Sequence, residues 1–149
     1  MILVTGGTGF VGAAAVRELA RRGKPVAVLS RDVAKVTRRF PGLGIEARQG
    51  DVSHPAGLRA AFAGIDAVID CVQFPNSPIE NRRKGWTFEQ VDYQGTVNQV
   101  AAACNQSHCN KVVCLITTAF TVLPTLSRFA LMRHMLCHCV TIAAFQTRS

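Results

Sequence analysis

Short apolar runs alternate along the chain with segments in which apolar residues recur every three or four positions. Ile2–Thr5 is an apolar run that predicts a strand, and a glycine-rich turn follows it. The next segment predicts a helix over Val11–Arg22, because its apolar residues repeat at i, i+4 and i+8. Gly23 is a natural stop for this helix. The β-branched run after it predicts a second strand over Val26–Ser30.

The same alternation continues through the rest of the chain. Asp32 is positioned to cap a short helix that ends at Phe40, before a Pro-Gly pair. Ser53 is the predicted N-cap of a helix through Ala63, with Pro55 as an early helical proline. The remaining predicted elements are the strands Ile45–Gln49, Ala67–Val72 and Lys111–Thr117 and a longer helix over Thr87–Cys104. Strands that alternate with helices over short connections predict an α/β fold with a parallel sheet covered on both faces.

Composition and charge narrow the class of protein. A chain of 149 residues is long enough for one domain with a buried core. Hydrophobic residues make up 48% of the sequence and charged residues 17%, which excludes a disordered chain. The net charge is +8, and no acidic residue follows Asp92. The basic residues form scattered pairs with little aromatic interleaving, so the charge predicts a solvated surface and no nucleic-acid partner.

The amino terminus and the cysteines indicate a compartment. Met1 leads directly into the first strand and leaves no room for a cleaved signal peptide, which predicts a cytoplasmic location. Thiols stay reduced there, so the cysteines are expected to be free: Cys71, Cys104, Cys109, Cys114, Cys137 and Cys139. The stretch Val112–Met132 is long enough to span a membrane, but Pro124, Arg128 and its hydroxyl residues make a span the less favoured interpretation.

The motif with the clearest mechanism is Thr5-Gly6-Gly7-Thr8-Gly9-Phe10-Val11-Gly12, between the first strand and the first helix. Gly6, Gly9 and Gly12 are spaced G-x-x-G-x-x-G. The first permits a tight turn, the second lets the backbone approach a pyrophosphate, and the third allows close packing of the helix on the sheet. The free N–H groups of the helix then face the phosphates. A strand before the motif and a helix after it are the context that dinucleotide binding requires.

This motif resembles the fingerprint of the extended and atypical short-chain dehydrogenase/reductase proteins. Other segments agree in order and spacing over residues 1–118, namely Gly50-Asp51-Val52, Asp66–Val72, Val91–Asn98 and Lys111–Thr118. The resemblance implies a doubly wound Rossmann sheet, incomplete at the carboxyl terminus. It also implies a dinucleotide cofactor, used for oxidoreduction or epimerisation of a small organic substrate. In the family, the carboxylate at Asp51 contacts adenine and the hydroxyl residue at Thr117 lies near the nicotinamide.

The motif and the resemblance together define a set of candidate cofactor-binding residues. These are Gly6, Thr8, Gly9, Phe10, Val11, Gly12, Ser30, Arg31, Asp51, Val52, Cys71, Val72 and Thr117.

The choice between NAD and NADP depends on the end of the second strand. An acid there holds the ribose 2′-hydroxyl of NAD, whereas an arginine meets the 2′-phosphate of NADP. Ser30-Arg31 therefore favours NADP. Asp32 keeps NAD possible, although capping of the following helix explains this residue equally well. Arg31 has an alternative interpretation as plain surface charge.

The sequence departs from the family at the catalytic pair and in its last third. The family's Tyr-x-x-x-Lys follows the fifth strand, whereas the only tyrosine is Tyr93 and the last lysine is Lys111, so no catalytic residue is assigned. Residues 119–149 resemble nothing in the family and predict an atypical tail, truncated or frame-shifted, that leaves the last strands uncovered. Two alternatives to an enzyme stay open, a non-catalytic NADP(H)-binding redox sensor and an inactive remnant. The tail residues His134, Cys137, His138 and Cys139 are too closely spaced for a zinc site, and no metal is predicted.

Overall fold

One six-stranded sheet organises the computed structural model, which describes residues 1–74, 80–107, 109, 111–115 and 139–143. The spatial order of the strands is β3-β2-β1-β4-β5-β6. Neighbours among the first five strands are parallel, and β6 is antiparallel to β5. The strands are β1 (Ile2–Thr5), β2 (Val26–Ser30), β3 (Glu46–Gln49), β4 (Ala67–Asp70), β5 (Lys111–Leu115) and β6 (Cys139–Ala143). The predicted α/β class with a doubly wound parallel sheet is confirmed.

Four α-helices connect the parallel strands. They are α1 (Phe10–Arg21), α2 (Val33–Arg39), α3 (Pro55–Ala61) and α4 (Gln94–Cys104). A 3₁₀ turn, Arg82–Lys84, and a π-helical turn, Glu89–Tyr93, precede α4. The π turn continues directly into α4, so the single helix predicted over Thr87–Cys104 has a wider turn at its beginning.

The core lies in two layers, one on each face of the sheet. Leu3 and Val4 are adjacent in β1 and both are fully buried, because successive side chains of a strand point to opposite faces. Leu3 packs with Phe62, the C-cap of α3, and with residues of α3 and α4, whereas Val4 packs with Val16 of α1 and Val36 of α2. Burial on both faces explains why these strands are continuous apolar runs rather than alternating ones.

The start of α3 and the end of β4 differ from the prediction. The N-cap of α3 is His54, without a side-chain capping bond, and Pro55 occupies the first helical turn as predicted. The hydroxyl of Ser53 instead donates to Oδ1 of Asp51 at 2.7 Å. A carboxylate is a stronger acceptor than the competing groups nearby, so Ser53 is held in the turn before the helix. β4 ends at Asp70, two residues before the predicted end.

The outer edge of β5 also differs from the prediction. β6 pairs with β5 over five residues, with Val113 opposite Thr141. The expectation that the last parallel strand is uncovered is therefore wrong, since a segment of the tail supplies the missing main-chain partners. Predicted strand residues beyond Leu115, Thr117 among them, lie outside the described residues. Within the described part of the chain, no helix is long and apolar enough to cross a membrane.

Candidate functional site

The strand order brings the predicted cofactor-binding segments to one edge of the sheet. β1 and β4 are neighbours, and the chain proceeds outward from them in opposite directions. In doubly wound sheets, this arrangement leaves a crevice at the carboxyl ends of the strands, and ligands bind there. The glycine loop follows β1, Arg31 follows β2, Asp51 follows β3 and Cys71 follows β4. All the described candidates lie at this edge.

Gly6 forms the turn from β1 into the loop, pressed against the end of β4. Its φ of +65° lies in the left-handed region that favours glycine. A Cβ on Gly6 would lie 2.4 Å from the carbonyl oxygen of Cys71 and 2.8 Å from the backbone nitrogen of Val72. Both the conformation and the close contact therefore require glycine at this position.

The other glycines allow the loop to fold against α1. Gly9 is the N-cap of α1, and a Cβ there would meet only the carbonyl oxygen of Gly6, at 3.2 Å. At Gly12 a Cβ would lie 2.3 Å from that same oxygen. Gly12 thus allows α1 to approach the loop backbone, rather than the sheet as the sequence predicted. Gly7, absent from the predicted set, has no room either, since its Cβ would lie 2.9 Å from a methyl group of Val28.

The amino end of α1 can receive phosphate groups. The first turn contains no acidic residue, and its N–H groups have no intrahelical partners. Thr8, Phe10 and Val11 lie in or beside this turn, and the side chain of Phe10 is 77% exposed. The loop therefore offers backbone donors with no charge that repels a pyrophosphate.

Arg31 and Asp32 follow β2, and the carboxylate of Asp32 already has partners in α2. Both oxygens of Asp32 face α2, with Oδ1 accepting from the backbone N–H of Lys35 at 3.3 Å and Oδ2 lying 3.3 Å from Nη2 of Arg38. The hydroxyl of Ser30 donates to the carbonyl of Asp32 at 2.8 Å. Arg31 is 72% exposed, with Nη1 4.0 Å from Oδ2 of Asp51. Of the two interpretations of Asp32, helix capping is the one that this geometry shows.

Asp51 lies in a turn that stabilises its charged form. Burial by itself raises the pKa of this carboxyl. The hydroxyl and backbone N–H of Ser53 donate to Oδ1, and Arg31 and His54 lie beside Oδ2, so the net effect is a pKa below the ordinary value. The next residue, Val52, is buried. A negatively charged Asp51 thus stands beside Arg31 at the predicted adenosine end of the crevice.

Cys71 and Val72 form the wall of the crevice after β4. Burial and the neighbouring Asp70 raise the pKa of the Cys71 thiol to about 12, so it stays protonated at neutral pH. The main chain of Cys71 continues the sheet, because its N–H donates to the carbonyl of Thr5 at 3.0 Å. The contribution of these residues to the crevice is their backbone rather than a reactive sulfur.

The predicted set omitted residues of α4 that hold the crevice together. The side-chain amide of Asn98 donates to the carbonyl of Val52 at 2.8 Å, and a Cβ on Gly95 would lie 3.0 Å from a methyl group of Val52. Thr96 donates to the carboxylate of Asp70. The signal was present in the sequence, since the Gly-Thr-x-Asn pattern places all three residues on neighbouring turns of one helix.

The described residues contain no assembled catalytic pair. Tyr93 ends the π turn with its side chain 62% exposed. Among these residues no group of three or more His, Cys, Asp and Glu side chains is arranged to hold a metal ion. A cavity of about 850 Å³ lies between the last turns of α1 and α2, away from the glycine loop, and is lined by arginines and Phe40.

Comparison with known families agrees with this geometry. The sequence matches the NAD dependent epimerase/dehydratase family over residues 2–121. The chain belongs to this family. The predicted resemblance to extended short-chain dehydrogenase/reductases is confirmed, and family membership supports the predicted dinucleotide cofactor.

Several relatives of this epimerase/dehydratase-family chain are known. It is 43% identical over 69 residues to the NAD(P)H azoreductase of Xenophilus azovorans, covering 46% of this chain and 24% of the relative. It is 33% identical over 127 residues to the 2-alkyl-3-oxoalkanoate reductase of Stenotrophomonas maltophilia, covering 80% of this chain and 34% of the relative. The chain thus spans about a quarter to a third of the length of these curated relatives.

Solved structures share the fold. A short-chain dehydrogenase/reductase superfamily protein from Agrobacterium tumefaciens with bound NAD aligns with a TM-score of 0.60 and 27% identity. The alignment covers 76% of this chain and 31% of that protein. The Rossmann architecture predicted from the sequence is therefore confirmed by structural likeness as well.

Proposed function

We propose that residues 1–118 form a dinucleotide-binding domain that holds NADP(H) at the carboxyl edge of the sheet, with NAD(H) as the weaker ligand. The domain serves an oxidoreductase or an epimerase that acts on a small organic substrate. The observation that carries this proposal is the glycine loop. Its backbone is held by three close glycine contacts, and its N-cap has no side chain at the amino end of α1.

Each part of the crevice has a proposed role. The residues toward the pyrophosphate are Gly6, Thr8, Gly9, Phe10, Val11 and Gly12; those toward the adenosine are Ser30, Arg31, Asp51 and Val52; those toward the nicotinamide side are Cys71, Val72 and Thr117. A bound nicotinamide dinucleotide supplies a hydride donor or acceptor. The residues of this chain bind and orient it, and the protonated thiol of Cys71 stays outside the chemistry.

The preference for NADP(H) is supported by the surroundings of Arg31. Its guanidinium is exposed and only loosely paired with Asp51 at 4.0 Å, so it is available to a 2′-phosphate. Asp32, the acid that would otherwise hold the ribose of NAD, is engaged by Lys35 and Arg38. The proposed compartment is the cytoplasm, which agrees with the free thiols of Cys71, Cys104 and Cys109.

The glycine loop provides the test of this function. Gly9→Val places a branched side chain in the space proposed for the pyrophosphate, so we expect fluorescence titration to show NADPH binding by the wild type and none by the variant. Gly57→Val is the matched control, because a Cβ on Gly57 in α3 meets nothing within 4 Å. Circular dichroism checks that both variants fold. NADPH binding by Gly9→Val with wild-type affinity would refute the assignment.

A second candidate function is a non-catalytic protein that binds NADP(H) and signals its redox state to a partner. The position of the single tyrosine favours it, since Tyr93 precedes β5 and is exposed, whereas the family's catalytic tyrosine follows the fifth strand. Both candidates use the same crevice. They differ in whether bound NADPH is consumed.

A further inference from the structure

A buried carboxylate lies directly behind the glycine loop. Asp70 is the last residue of β4, in register with Thr5, the last residue of β1. Its exposure is 4%, and among the buried polar residues of the described chain it is the one acid. Burying a charge is costly unless hydrogen bonds compensate it, so the partners of Asp70 decide what it does.

Among the described residues, three elements donate hydrogen bonds to this carboxylate. Oδ1 accepts from the hydroxyl of Thr5 at 3.0 Å and from the backbone N–H of Val72 at 2.9 Å. Oδ2 accepts from the hydroxyl of Thr96 on α4 at 2.8 Å. Hydrogen bonds to an ionised acceptor are about twice as strong as neutral ones. Asp70 therefore joins β1, the turn after β4 and α4.

These hydrogen bonds hold the residues on both sides of the close contact between Gly6 and the turn after β4. Thr5 immediately precedes Gly6, and the atoms that crowd Gly6 are the carbonyl oxygen of Cys71 and the backbone nitrogen of Val72. That nitrogen is the one that donates to Asp70. A shift of the carboxylate would thus move the residue before Gly6 and the wall against which Gly6 packs.

Stability alone does not account for an acid at this position. Well-packed apolar residues in place of a buried charged network are often neutral or stabilising. A satisfied network does fix one geometry, because each partner has a defined distance and direction. A dinucleotide loop needs that property, since binding is tighter when the loop is already ordered.

We propose that Asp70 is a positioning residue for the dinucleotide, which pre-orders the glycine loop through Thr5 and Val72 and couples it to α4 through Thr96. The inference rests on the proposed function of the crevice. Because the loop is proposed to contact the pyrophosphate, which NADPH and NADH share, loss of the network weakens both nucleotides by the same factor. This pattern differs from that of Arg31, which concerns the 2′-phosphate alone.

The test uses Thr96, because Asp70→Ala would strip acceptors from the buried hydroxyl of Thr5 and risks unfolding the chain. Thr96→Val removes one hydrogen bond at nearly constant volume, and Thr96→Ser keeps the hydroxyl. We expect Thr96→Val to raise the Kd of NADPH and of NADH about tenfold, the size of one hydrogen bond to a charged group. Thr96→Ser should restore both constants to within about twofold.

The matched control is Thr87→Val, another threonine hydroxyl removed near α4. The hydroxyl of Thr87 accepts from the backbone N–H of Gln90 at 3.1 Å. This variant should melt at a lower temperature while both dissociation constants stay at the wild-type value. Equal losses of affinity in Thr87→Val and Thr96→Val would show a general structural effect and overturn the proposal, as would a loss confined to NADPH.

A second measurement separates this proposal from the proposed function. In the nucleotide-free protein, the hydrogen-bonded amides of the loop, those of Gly9 and Ala13, should exchange hydrogen for deuterium about tenfold faster in Thr96→Val than in the wild type and in Thr87→Val. If the wild type binds neither nucleotide, the proposed function fails, while faster exchange confined to Thr96→Val still supports the ordering role of Asp70. Unchanged exchange in Thr96→Val refutes that role whatever the nucleotides do.

Discussion

At the scale of single residues, the loop glycines serve different contacts although the sequence spaces them evenly. Gly6 requires a left-handed backbone, Gly12 leaves space for the loop carbonyl, and Gly7 leaves space for Val28. Of these four glycines, Gly9 is the one at which an added Cβ would come no closer than 3.2 Å to another atom. The first three are needed for the fold itself, whereas Gly9 is the position at which added atoms would chiefly obstruct a ligand.

The proposed preference for NADP(H) also depends on one residue. Arg31→Ala should weaken NADPH about ten- to a hundredfold and leave NADH nearly unchanged, because a hydrogen bond to a charged group contributes about 1.5–3 kcal/mol. The measurement is a pair of dissociation constants for each protein. Arg39→Ala, at the far end of α2, is the matched control and should change neither.

Two results would contradict this prediction. Equal losses for NADPH and NADH in Arg31→Ala would show that Arg31 acts on the structure of the crevice rather than on the 2′-phosphate. Tighter binding of NADH than of NADPH by the wild type would assign the ribose to Asp32, in spite of its bonds to α2.

At the scale of elements, short polar turns fix where helices begin. Asp32 caps α2 as its position in the sequence predicts, by accepting from the N–H of Lys35. The prediction that Ser53 caps α3 is wrong, because its hydroxyl donates a hydrogen bond to Asp51, two residues before it. A local pattern predicts a cap well when no stronger acceptor competes for the same side chain.

The Asp51 turn has a pH-dependent consequence. Its pKa is lowered in the folded chain, so its stabilisation is present above the unfolded value of about 3.9 and is lost as the pH falls through the folded pKa. Ser53→Ala removes one donor to the carboxylate. We expect this variant to be about 1 kcal/mol less stable at pH 7 and equal to the wild type once Asp51 is protonated.

Denaturant unfolding of both proteins, from pH 7 down to a pH at which Asp51 is protonated in the folded protein, measures that difference. Ser30→Ala is the control, since the hydroxyl of Ser30 bonds to the main chain of Asp32 and to no carboxylate. Its effect should be independent of pH. If Ser53→Ala still has the same lower free energy of unfolding once Asp51 is protonated, the hydroxyl does not act through the charge of Asp51.

At the scale of the whole molecule, the order of the strands creates the crevice that is proposed to receive the nucleotide. β1 and β4 are neighbours at the centre of the sheet, and β6 pairs with the outer edge of β5. The chain spans only about a quarter to a third of the length of its curated relatives. Nucleotide binding is the function that we propose for residues 1–118 of this chain.

The redox-sensor candidate predicts that this chain binds NADPH without consuming it. The physical reason is that no tyrosine follows β5 with a lysine to lower its pKa for proton transfer. The measurement is absorbance at the NADPH band over a panel of carbonyl substrates, with a catalytically active family reductase assayed in parallel. NADPH oxidation that exceeds the rate of a Gly9→Val control would favour the enzyme over the redox sensor.

The sequence by itself determined the features that depend on neighbouring residues. These are the strands and helices of the Rossmann alternation, the glycine fingerprint, the cap at Asp32 and the arginine after β2, all carried by local periodicity and spacing. Only the tertiary structure decided contacts between distant segments, such as Thr5 with Asp70 across 65 positions and Asp70 with Thr96 across 26. It also decided that Gly7 abuts Val28 and that β6 pairs with β5. Such partners meet through sheet order and packing, which no short sequence window contains.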